Sequence, residues 1–344
     1  MRSAVRMSLF ETQERREKLE GIGDPLAQFE RHLDFAAITA KVDAVAPRPP
    51  QPKGGRPPYP TEVMVRLLVI QHLLNLSDEQ LEFQTLDRES FRRFGGLTGS
   101  SDIPDRNTVW RFKERIAGAG AADIVFDEVN RQLAEHGYIA RCGQIIDASI
   151  VEAPRQHLSR EEKQVVEAGA TPEGWTPAKR RQKDLDASWT KKHGRSFHGY
   201  KVSVSIDAKY KVIRKEETCT AKESDSRHFE SVLDPMNTSG DVYADRGYAS
   251  EAREESLEWD GYRPHIQRKA KPGKPLGKRQ KQRNRRIASP RARVEHVFAQ
   301  FAAMGGKTVR TIGLKRARFG LTMKAAVYNM KRLVWLKEAG IQPT

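Results

Sequence analysis

One acidic residue interrupts an apolar, β-branched segment of this chain. Asp147 lies in GQIIDASIVEAP, with Ile145 and Ile146 before it and Ile150 and Val151 after it. β-Branched residues in such a run are typical of a strand buried in a sheet. A carboxylate is costly to bury there unless another group compensates its charge. The segment therefore predicts a buried strand that carries a functional acid.

Two further acids lie in contexts that would direct them toward a sheet. Asp245, in GDVYADRGYAS, ends a second apolar run and precedes an Arg-Gly pair, as at a point where a strand leaves its sheet. Ligands collect at such strand ends. Glu295, in SPRARVEHVFAQF, belongs to a helical pattern with apolar residues at i, i+3, i+4 and i+7, at the edge of the buried stripe. The residues of that stripe are Val294, Val297, Phe298 and Phe301.

Three converging carboxylates would hold divalent metal ions. Mg²⁺ and Mn²⁺ prefer carboxylate oxygens, and a pair of ions about 3.5–4 Å apart supports phosphodiester chemistry. A simpler interpretation is that arginines neutralise the acids separately, Asp245 through Arg246 or Arg253 and Glu295 through Arg291 one helical turn back. The charge of the whole chain favours the metal site.

That charge is strongly positive. The 61 Lys and Arg outnumber the 45 Asp and Glu, which gives a net charge of +16 and a pI near 9.8. Such an excess is typical of proteins that neutralise phosphates, so nucleic acid is the expected partner. No apolar run approaches the ~18 residues of a membrane span, the N-terminus is too charged for a secretory signal, and the two cysteines lack metal-ligand spacing. We expect a soluble protein of a reducing cytoplasm.

The length of 344 residues suits two domains. We predict an N-terminal helical segment over 1–46, a Pro/Gly-rich linker or arm over 47–60, and a helical DNA-binding domain over 61–120. An α/β catalytic domain follows over 121–335, with a basic insertion at about 155–196. Its sheet is predicted to be mixed and flanked by helices.

The elements of the α/β domain follow from its alternating and helical patterns. A helix near 121–136 precedes the Asp147 strand, and the last element is the Glu295 helix. Between these two elements we predict strands at 198–207 and 211–219, a helix within 224–234, the Asp245 strand, a helix over 249–259 and a short strand at 262–267.

One predicted helix of the 61–120 unit could read DNA. Ser77 and Gln80 form a capping-box pattern for an earlier helix, and Asp105 is placed to cap this one. A helix joined to its neighbours by tight turns could lie in a major groove, where Arg reads guanine and Asn reads adenine. The alternative is that this helix does not contact DNA and that its polar residues form an ordinary solvent-exposed face. The candidate contacts on this helix are Arg106, Asn107 and Arg111.

Other basic segments are also candidates for nucleic-acid contact. Arg56, in the motif GRP, resembles a minor-groove arm, although a plain proline linker is the simpler interpretation. The 155–196 segment contains two tryptophans and a basic group that includes Lys191 and Lys192, which suits charge and stacking contacts or a surface loop. Residues 268–293 hold twelve Lys or Arg and no acid, which favours either a solvated loop or contact with a DNA backbone.

Taken in order, these motifs resemble the transposases of bacterial insertion sequences, specifically the IS-five group with a ribonuclease-H-like catalytic core. The resemblance covers roughly residues 50–335 and implies an α/β, ribonuclease-H-like mixed sheet flanked by helices, preceded by an all-α DNA-binding domain. The motifs that carry it are GRPPYPTEVMVRLLVIQHLL, IPDRNTVWRFKERI, DASIVEAP, SWTKKHGRSFHGYKVSVSID, TAKESDS, YADRGYAS and RARVEHVFAQF.

The resemblance implies a catalytic role for the three acids. Asp147, Asp245 and Glu295 match the family's catalytic triad and would bind two ions of Mg²⁺ or Mn²⁺. Arg291 matches an arginine of the same motif, which implies a contact with a phosphate or a DNA end. Arg246 is a further expected DNA contact.

The match to the family is incomplete at two positions. The family's tyrosine is Ala288 here and its lysine is Ala302, so that Lys307 or the basic run would have to handle the DNA end. Only 50 residues separate Asp245 from Glu295, too few for the large insertion that some relatives have there. We therefore expect the core to be expanded between its first and second strands.

The activity that the resemblance implies is transposition. DNA would be cleaved at the terminal inverted repeats, and the freed 3′ hydroxyl would attack double-stranded target DNA in the bacterial nucleoid. Because two ends must meet, a homodimer is expected in the DNA complex. The alternatives are a related metal-dependent nuclease that does not join strands and a non-catalytic DNA-binding protein derived from a transposase. RNA binding through charge alone would leave the acids unexplained.

Overall fold

The described chain begins with a series of helices. The computed structural model describes residues 10–48, 57–192, 194–270 and 272–343, so that residues 49–56 of the predicted arm lie outside the description. Helices and strands are numbered separately in chain order. The helices before the first strand are α1 (Glu11–Ile22), α2 (Pro25–His32), α3 (Phe35–Val45), α4 (Thr61–Leu74), α5 (Asp78–Asp87), α6 (Glu89–Gly95), α7 (Arg106–Gly118) and α8 (Ala121–Glu135).

Local capping signals set where two of these helices begin. The backbone N–H of Gln80 donates to Ser77 Oγ at 3.1 Å, and the Ser77 N–H donates to Gln80 Oε1 at 3.2 Å. The predicted capping box of α5 is therefore confirmed. Asp105 accepts a hydrogen bond from the Thr108 N–H at 2.6 Å and caps α7, also as predicted.

The strands of the described residues form one mixed sheet. They are β1 (Gln144–Glu152), β2 (Ser188–Lys192), β3 (Arg195–Asp207), β4 (Ile213–Thr220), β5 (Asp241–Ala244) and β6 (Arg263–Ile266). β3 pairs antiparallel with β1, β2 and β4, while β5 is parallel to both β1 and β6. β1 lies on one edge of β3, while β2 and β4 pair with successive parts of its other edge. The strand order is therefore β2-β3-β1-β5-β6, with β4 beside β2. Three antiparallel strands followed by two parallel ones confirm the predicted ribonuclease-H-like α/β class.

Five α-helices follow β1 in the described part of the chain, and the last three of them pack against strands of this sheet. The five helices are α9 (Arg160–Glu167), α10 (Pro177–Arg181), α11 (Glu251–Trp259), α12 (Lys278–Ala303) and α13 (Leu314–Glu338). Ile145 and Val151 point into a large core with α12 and α13, whereas Ile146 points into a smaller core with α11. Because side chains alternate along a strand, Asp147 lies on the α12 face.

Two segments differ from the prediction. The helix expected within 224–234 is instead a pair of 3-10 turns, Asp225–His228 and Glu230–Val232. Pro235 disfavours helical backbone at the residue before it, so too few residues remain for a stable α-helix. The basic run is not a loop throughout, since α12 begins at Lys278 and continues through Pro290. The helix that carries Glu295 therefore begins within the basic run.

The final helix, α13, was not predicted. It packs against α2, α4, α8 and β4 and has buried residues on all its sides, so no single apolar stripe marks it in the sequence. The Asn329 side chain in α13 accepts from the Ile213 N–H at 2.9 Å and donates to the Ile213 carbonyl at 2.7 Å. One apolar core therefore runs from the N-terminal helices through α13 to the sheet. Within the described ranges, no helix combines the length and apolar character that a membrane crossing requires.

Candidate active site

The sheet places two of the three predicted acids side by side. β1 and β5 run parallel, with Gln144 level with Val242. The same register, continued past the end of β5, sets Asp147 level with Asp245. Neighbouring strands lie about 4.8 Å apart, and level residues of parallel strands point to the same face. Both aspartates therefore face α12.

Helix α12 brings the third acid to this face. It packs against β1 and β5 through Val294, Val297 and Phe298, which are buried. Glu295 is exposed at the edge of that stripe, as the periodicity predicted, and Arg291 lies one turn before it on the same side of the helix. The helix thus presents an acid and a base to the two aspartates.

Arg291 neutralises Asp147. Its Nη2 donates to Asp147 Oδ2 at 3.0 Å, and its Nη1 donates to Gln267 Oε1 at 3.2 Å, which fixes the guanidinium. Asp147 Oδ1 accepts the Ala148 N–H at 2.8 Å. Burial raises the pKa of Asp147 to about 6, against the opposing effect of Arg291 and with a further increase from Asp245 and Glu295. The three acids therefore act on each other electrostatically.

The arginine pairings considered in the sequence are not the ones that form. Arg291 binds Asp147 rather than Glu295, and Arg253 donates to Glu230 at 2.6 Å rather than to Asp245. Asp245 Oδ1 instead accepts the N–H of Gly247 at 2.7 Å. Arg246 is exposed. Among the described contacts, Asp245 and Glu295 have no arginine partner.

The three acids fit a hard divalent cation by their chemistry. All their donor atoms are carboxylate oxygens, which Mg²⁺ and Mn²⁺ prefer, and the pKa of Asp147 registers the negative charge of the other two. Among the described residues, no group of three or more acids, histidines or cysteines is placed to hold a metal ion, so in this conformation the three acids share a face of the sheet without forming a metal site. Arg291 supplies the positive charge at Asp147 in this conformation.

Lys307 adds a second cation to the site. Its Nζ donates to Ser149 Oγ, and Ser149, two residues after Asp147, points to the same face of β1. The ammonium lies 5.3 Å from the centre of the Phe298 ring. Burial and then the charge of Lys192 lower the pKa of Lys307, and the acids of the site oppose that shift. A phosphate near the acids would meet this ammonium.

The loop that carries Lys307 is tightly held. The Lys307 carbonyl accepts a hydrogen bond from the Glu152 N–H at 2.8 Å, and the Val309 N–H donates to the Glu152 carbonyl at 2.9 Å. The loop therefore pairs with the end of β1. A Cβ at Gly306 would overlap the Phe301 ring, and only glycine fits there. The position of Lys307 is therefore set by backbone contacts.

The predicted contacts on α7 lie together on one exposed face. Arg106, Asn107 and Arg111 are all exposed. Arg106 Nη1 forms an ion pair with Glu79 Oε1 at 3.5 Å. Trp110, which was not among the predicted DNA contacts, is 49% exposed on the same face. Its position four residues after Arg106 was the signal that could have found it. Their contact with DNA remains a prediction.

The remaining predicted contacts differ in position. Lys191 and Lys192 are exposed on β2, and Arg246 is exposed directly after Asp245. Arg56 lies outside the described residues. The amino-terminal half of α12 adds a row of exposed cations that have no acidic partner among the described contacts. These cations are Lys278, Arg279, Lys281, Arg285 and Arg286.

The mixed sheet, with its antiparallel and parallel parts and its flanking helices, defines a ribonuclease-H-like fold. A family model described as "Transposase DDE domain" matches residues 139–330, more than half of the chain, and one described as "Transposase domain (DUF772)" matches residues 13–115. The chain belongs to the DDE transposase family. These matches do not specify its subgroup.

One solved structure is also similar to this chain. It is the cryo-EM structure of a piggyBac transposase synaptic complex with hairpin DNA, at 12% sequence identity and a TM-score of 0.43. The alignment covers 93% of this chain and 77% of that one.

Proposed function

We propose that this protein is the transposase of an insertion sequence, which cleaves DNA at the terminal inverted repeats and joins the freed 3′ ends to target DNA. Asp147, Asp245 and Glu295 are the proposed catalytic residues. The observation that carries this proposal is the level placement of the two aspartates on the sheet face covered by α12, in a chain of the DDE transposase family.

The same three acids would hold the metal. Two ions of Mg²⁺ or Mn²⁺ would supply activation of the attacking oxygen and stabilisation of the leaving oxygen. Arg291 holds Asp147 in place and, once the negative charge of Asp147 is otherwise neutralised, is free to bind a phosphate of the strand being cut. Catalysis would depend chiefly on position and charge.

The cations around the site would hold the DNA backbone. Lys307 and Lys192 flank the acids, and the exposed row on α12 extends from Arg291 along the same helix. Arg106, Asn107 and Arg111 would read the inverted repeat from α7. Phosphate contacts fix the position of the duplex, while the α7 contacts select its sequence.

The direct test is cleavage of a plasmid that carries the DNA flanking the coding sequence. We expect wild-type protein to cut that plasmid when Mg²⁺ is added, and Asp147→Asn, Asp245→Asn and Glu295→Gln to lose nearly all cutting while they still bind the DNA. Glu255→Gln, which changes an exposed acid of α11, is the matched control and should cut normally. Cutting by Asp147→Asn at the wild-type rate would reject the assignment.

Two further features of the proposal have separate tests. A related nuclease would cut ends without joining them, so an assay with pre-cut ends and target DNA distinguishes a transposase by its joined product. Coordinated action on two ends implies a homodimer on DNA. A complex that transposes but has the mass of one protomer in light scattering would contradict the dimer.

A further inference from the structure

A cavity whose lining includes none of the three acids lies between the N-terminal helices and α13. Its volume is about 310 Å³, and its walls come from α4, α5, α7, the segment 308–311 and α13. Small-molecule sites start at roughly this size. The wall segment 308–311 follows directly after Lys307, and α7 also carries the predicted DNA face. The cavity is therefore adjacent to both proposed DNA-binding regions.

This cavity contains two cations without an acidic partner. Lys324 is buried, and within the described ranges its Nζ donates to the Met304 carbonyl at 2.6 Å and to Asn75 Oδ1 at 3.2 Å and to no carboxylate. Burial and then the charge of Arg310 lower the pKa of Lys324 to about 8. Arg310 is exposed and has no hydrogen bond or ion pair within the described part of the chain. The paired cations of the cavity are Lys113 with Asp78 and Arg316 with Glu114.

The buried end of the cavity offers unused hydrogen-bonding atoms beside flat apolar walls. His72 is 9% exposed, and its buried Nε2 has no hydrogen-bond partner among the residues that the structure describes. Burial, followed by the charges of Lys324 and Lys113, holds the pKa of His72 well below its ordinary value, so the ring is neutral. Gln71 Oε1 likewise has no hydrogen-bond partner in the described part of the chain. The remaining walls include the Phe319 ring, 6.2 Å from the His72 ring, and half-exposed Trp110.

We propose that this cavity binds one nucleotide, with the phosphate at Arg310 and Lys324 and the base between Trp110 and His72. The buried ammonium of Lys324 has no acidic partner among the described residues, so an anion would compensate its charge, and Arg310 at the surface can bind the same anion. The aromatic and apolar walls suit a base, whose face stacks and whose edge hydrogen-bonds with groups such as the unpaired atoms of His72 and Gln71. A base that has left the stack of bound DNA and a free nucleotide share this chemistry.

The first experimental arm titrates each of the four deoxynucleoside 5′-monophosphates into the full-length protein by calorimetry, with a chelator present. We expect at least one to bind, and Arg310→Gln to weaken that binding about tenfold or more, as for the loss of one charge-assisted hydrogen bond. Trp110→Ala should weaken it as well. Arg141→Gln is the control, because Arg141 is exposed at the opposite end of β1 from the cavity. Arg310 and Trp110 lie at the surface, so their substitution leaves the core intact.

The second arm uses duplex DNA with a single unpaired 2-aminopurine, compared with the fully paired duplex. If the base enters the cavity, its fluorescence falls on protein binding, and Trp110→Ala removes that fall while the duplex still binds. Nucleotide binding in the first arm without a fluorescence change in the second identifies a free nucleotide as the ligand, whereas a fluorescence change in the second arm identifies a base of bound DNA.

The absence of binding and of fluorescence change in both arms, or equal signals with Arg310→Gln and Trp110→Ala, would overturn the proposal. Neither arm requires cleavage, and Asp147→Asn protein should give the same result. Failure of this inference is therefore distinguishable from failure of the proposed transposase activity.

Discussion

Replacing Asp147 with Asn should stabilise the protein at neutral pH and at the same time remove DNA cleavage. Burial is the largest effect on this carboxyl group and raises its pKa from 3.8 to about 6. The folded protein therefore holds a proton at Asp147 more tightly than the unfolded chain does. The free energy of unfolding therefore falls as the pH rises from 3.8 to about 6. Above about pH 6, the ionised carboxylate destabilises the folded state relative to the unfolded chain.

The magnitude follows from the same shift. At about 1.4 kcal/mol per pKa unit, the ionised carboxylate destabilises the folded state by about 3 kcal/mol, which is an upper estimate. Asn resembles the protonated acid and does not titrate. We expect Asp147→Asn to exceed the wild type in free energy of unfolding by up to about 3 kcal/mol at pH 8 and to match it below pH 3.8.

Urea denaturation in the presence of a chelator measures this difference at both pH values. Glu255→Gln changes an exposed acid and should shift stability by no more than ~0.5 kcal/mol. Mg²⁺ should then stabilise the wild type, by ~2.7 kcal/mol at one hundred times its dissociation constant, and leave Asp147→Asn unchanged. An Asp147→Asn protein less stable than the wild type at pH 8 would show that Arg291 fully compensates the acid, and the reasoning would be wrong.

Three further predictions concern Lys307, Gly199 and Asn329. Lys307→Ala should reduce the slope of the logarithm of DNA affinity against the logarithm of salt concentration by about one, whereas Lys307→Arg should leave that slope at its wild-type value. An unchanged slope for Lys307→Ala in filter binding would show that Lys307 does not contact a phosphate. Gly199→Ala should cost ~3 kcal/mol or more in urea denaturation, because φ is +149° and a Cβ would overlap a carbonyl oxygen of β1, while Gly174→Ala, in open space, should change little. Asn329→Leu should cost ~2–4 kcal/mol by leaving both backbone groups of Ile213 unpaired, and a neutral result would contradict that link between α13 and the sheet.

The sequence predicted those elements of the fold whose signals come from residues close together in the chain. Alternating and helical patterns predicted the strands of Asp147 and Asp245 and the helix of Glu295, because these signals depend on residues near each other in the chain. The capping of α5 and α7 was also predictable, since each cap bonds within four residues. The class of the fold followed from the order of these elements.

What depended on distant contacts was not predictable. The partner of Asp147 is Arg291, 144 residues away, and the sequence offered nearer arginines for other acids. α13 is surrounded by α2, α4, α8 and β4, so its apolar residues lack the stripe that would have marked it. The nucleotide cavity is lined by segments from opposite ends of the chain, and His72 or Lys324 alone would have suggested an ordinary helix residue.

The central claim is that Asp147, Asp245 and Glu295 form one metal-dependent catalytic site. Anomalous diffraction from crystals grown with Mn²⁺ tests it most directly. We predict manganese peaks within bonding distance of the carboxylate oxygens of all three residues, with Arg291 released from Asp147. Saturating Mn²⁺ with no peak at these acids, and with the Arg291–Asp147 pair intact, would contradict the account.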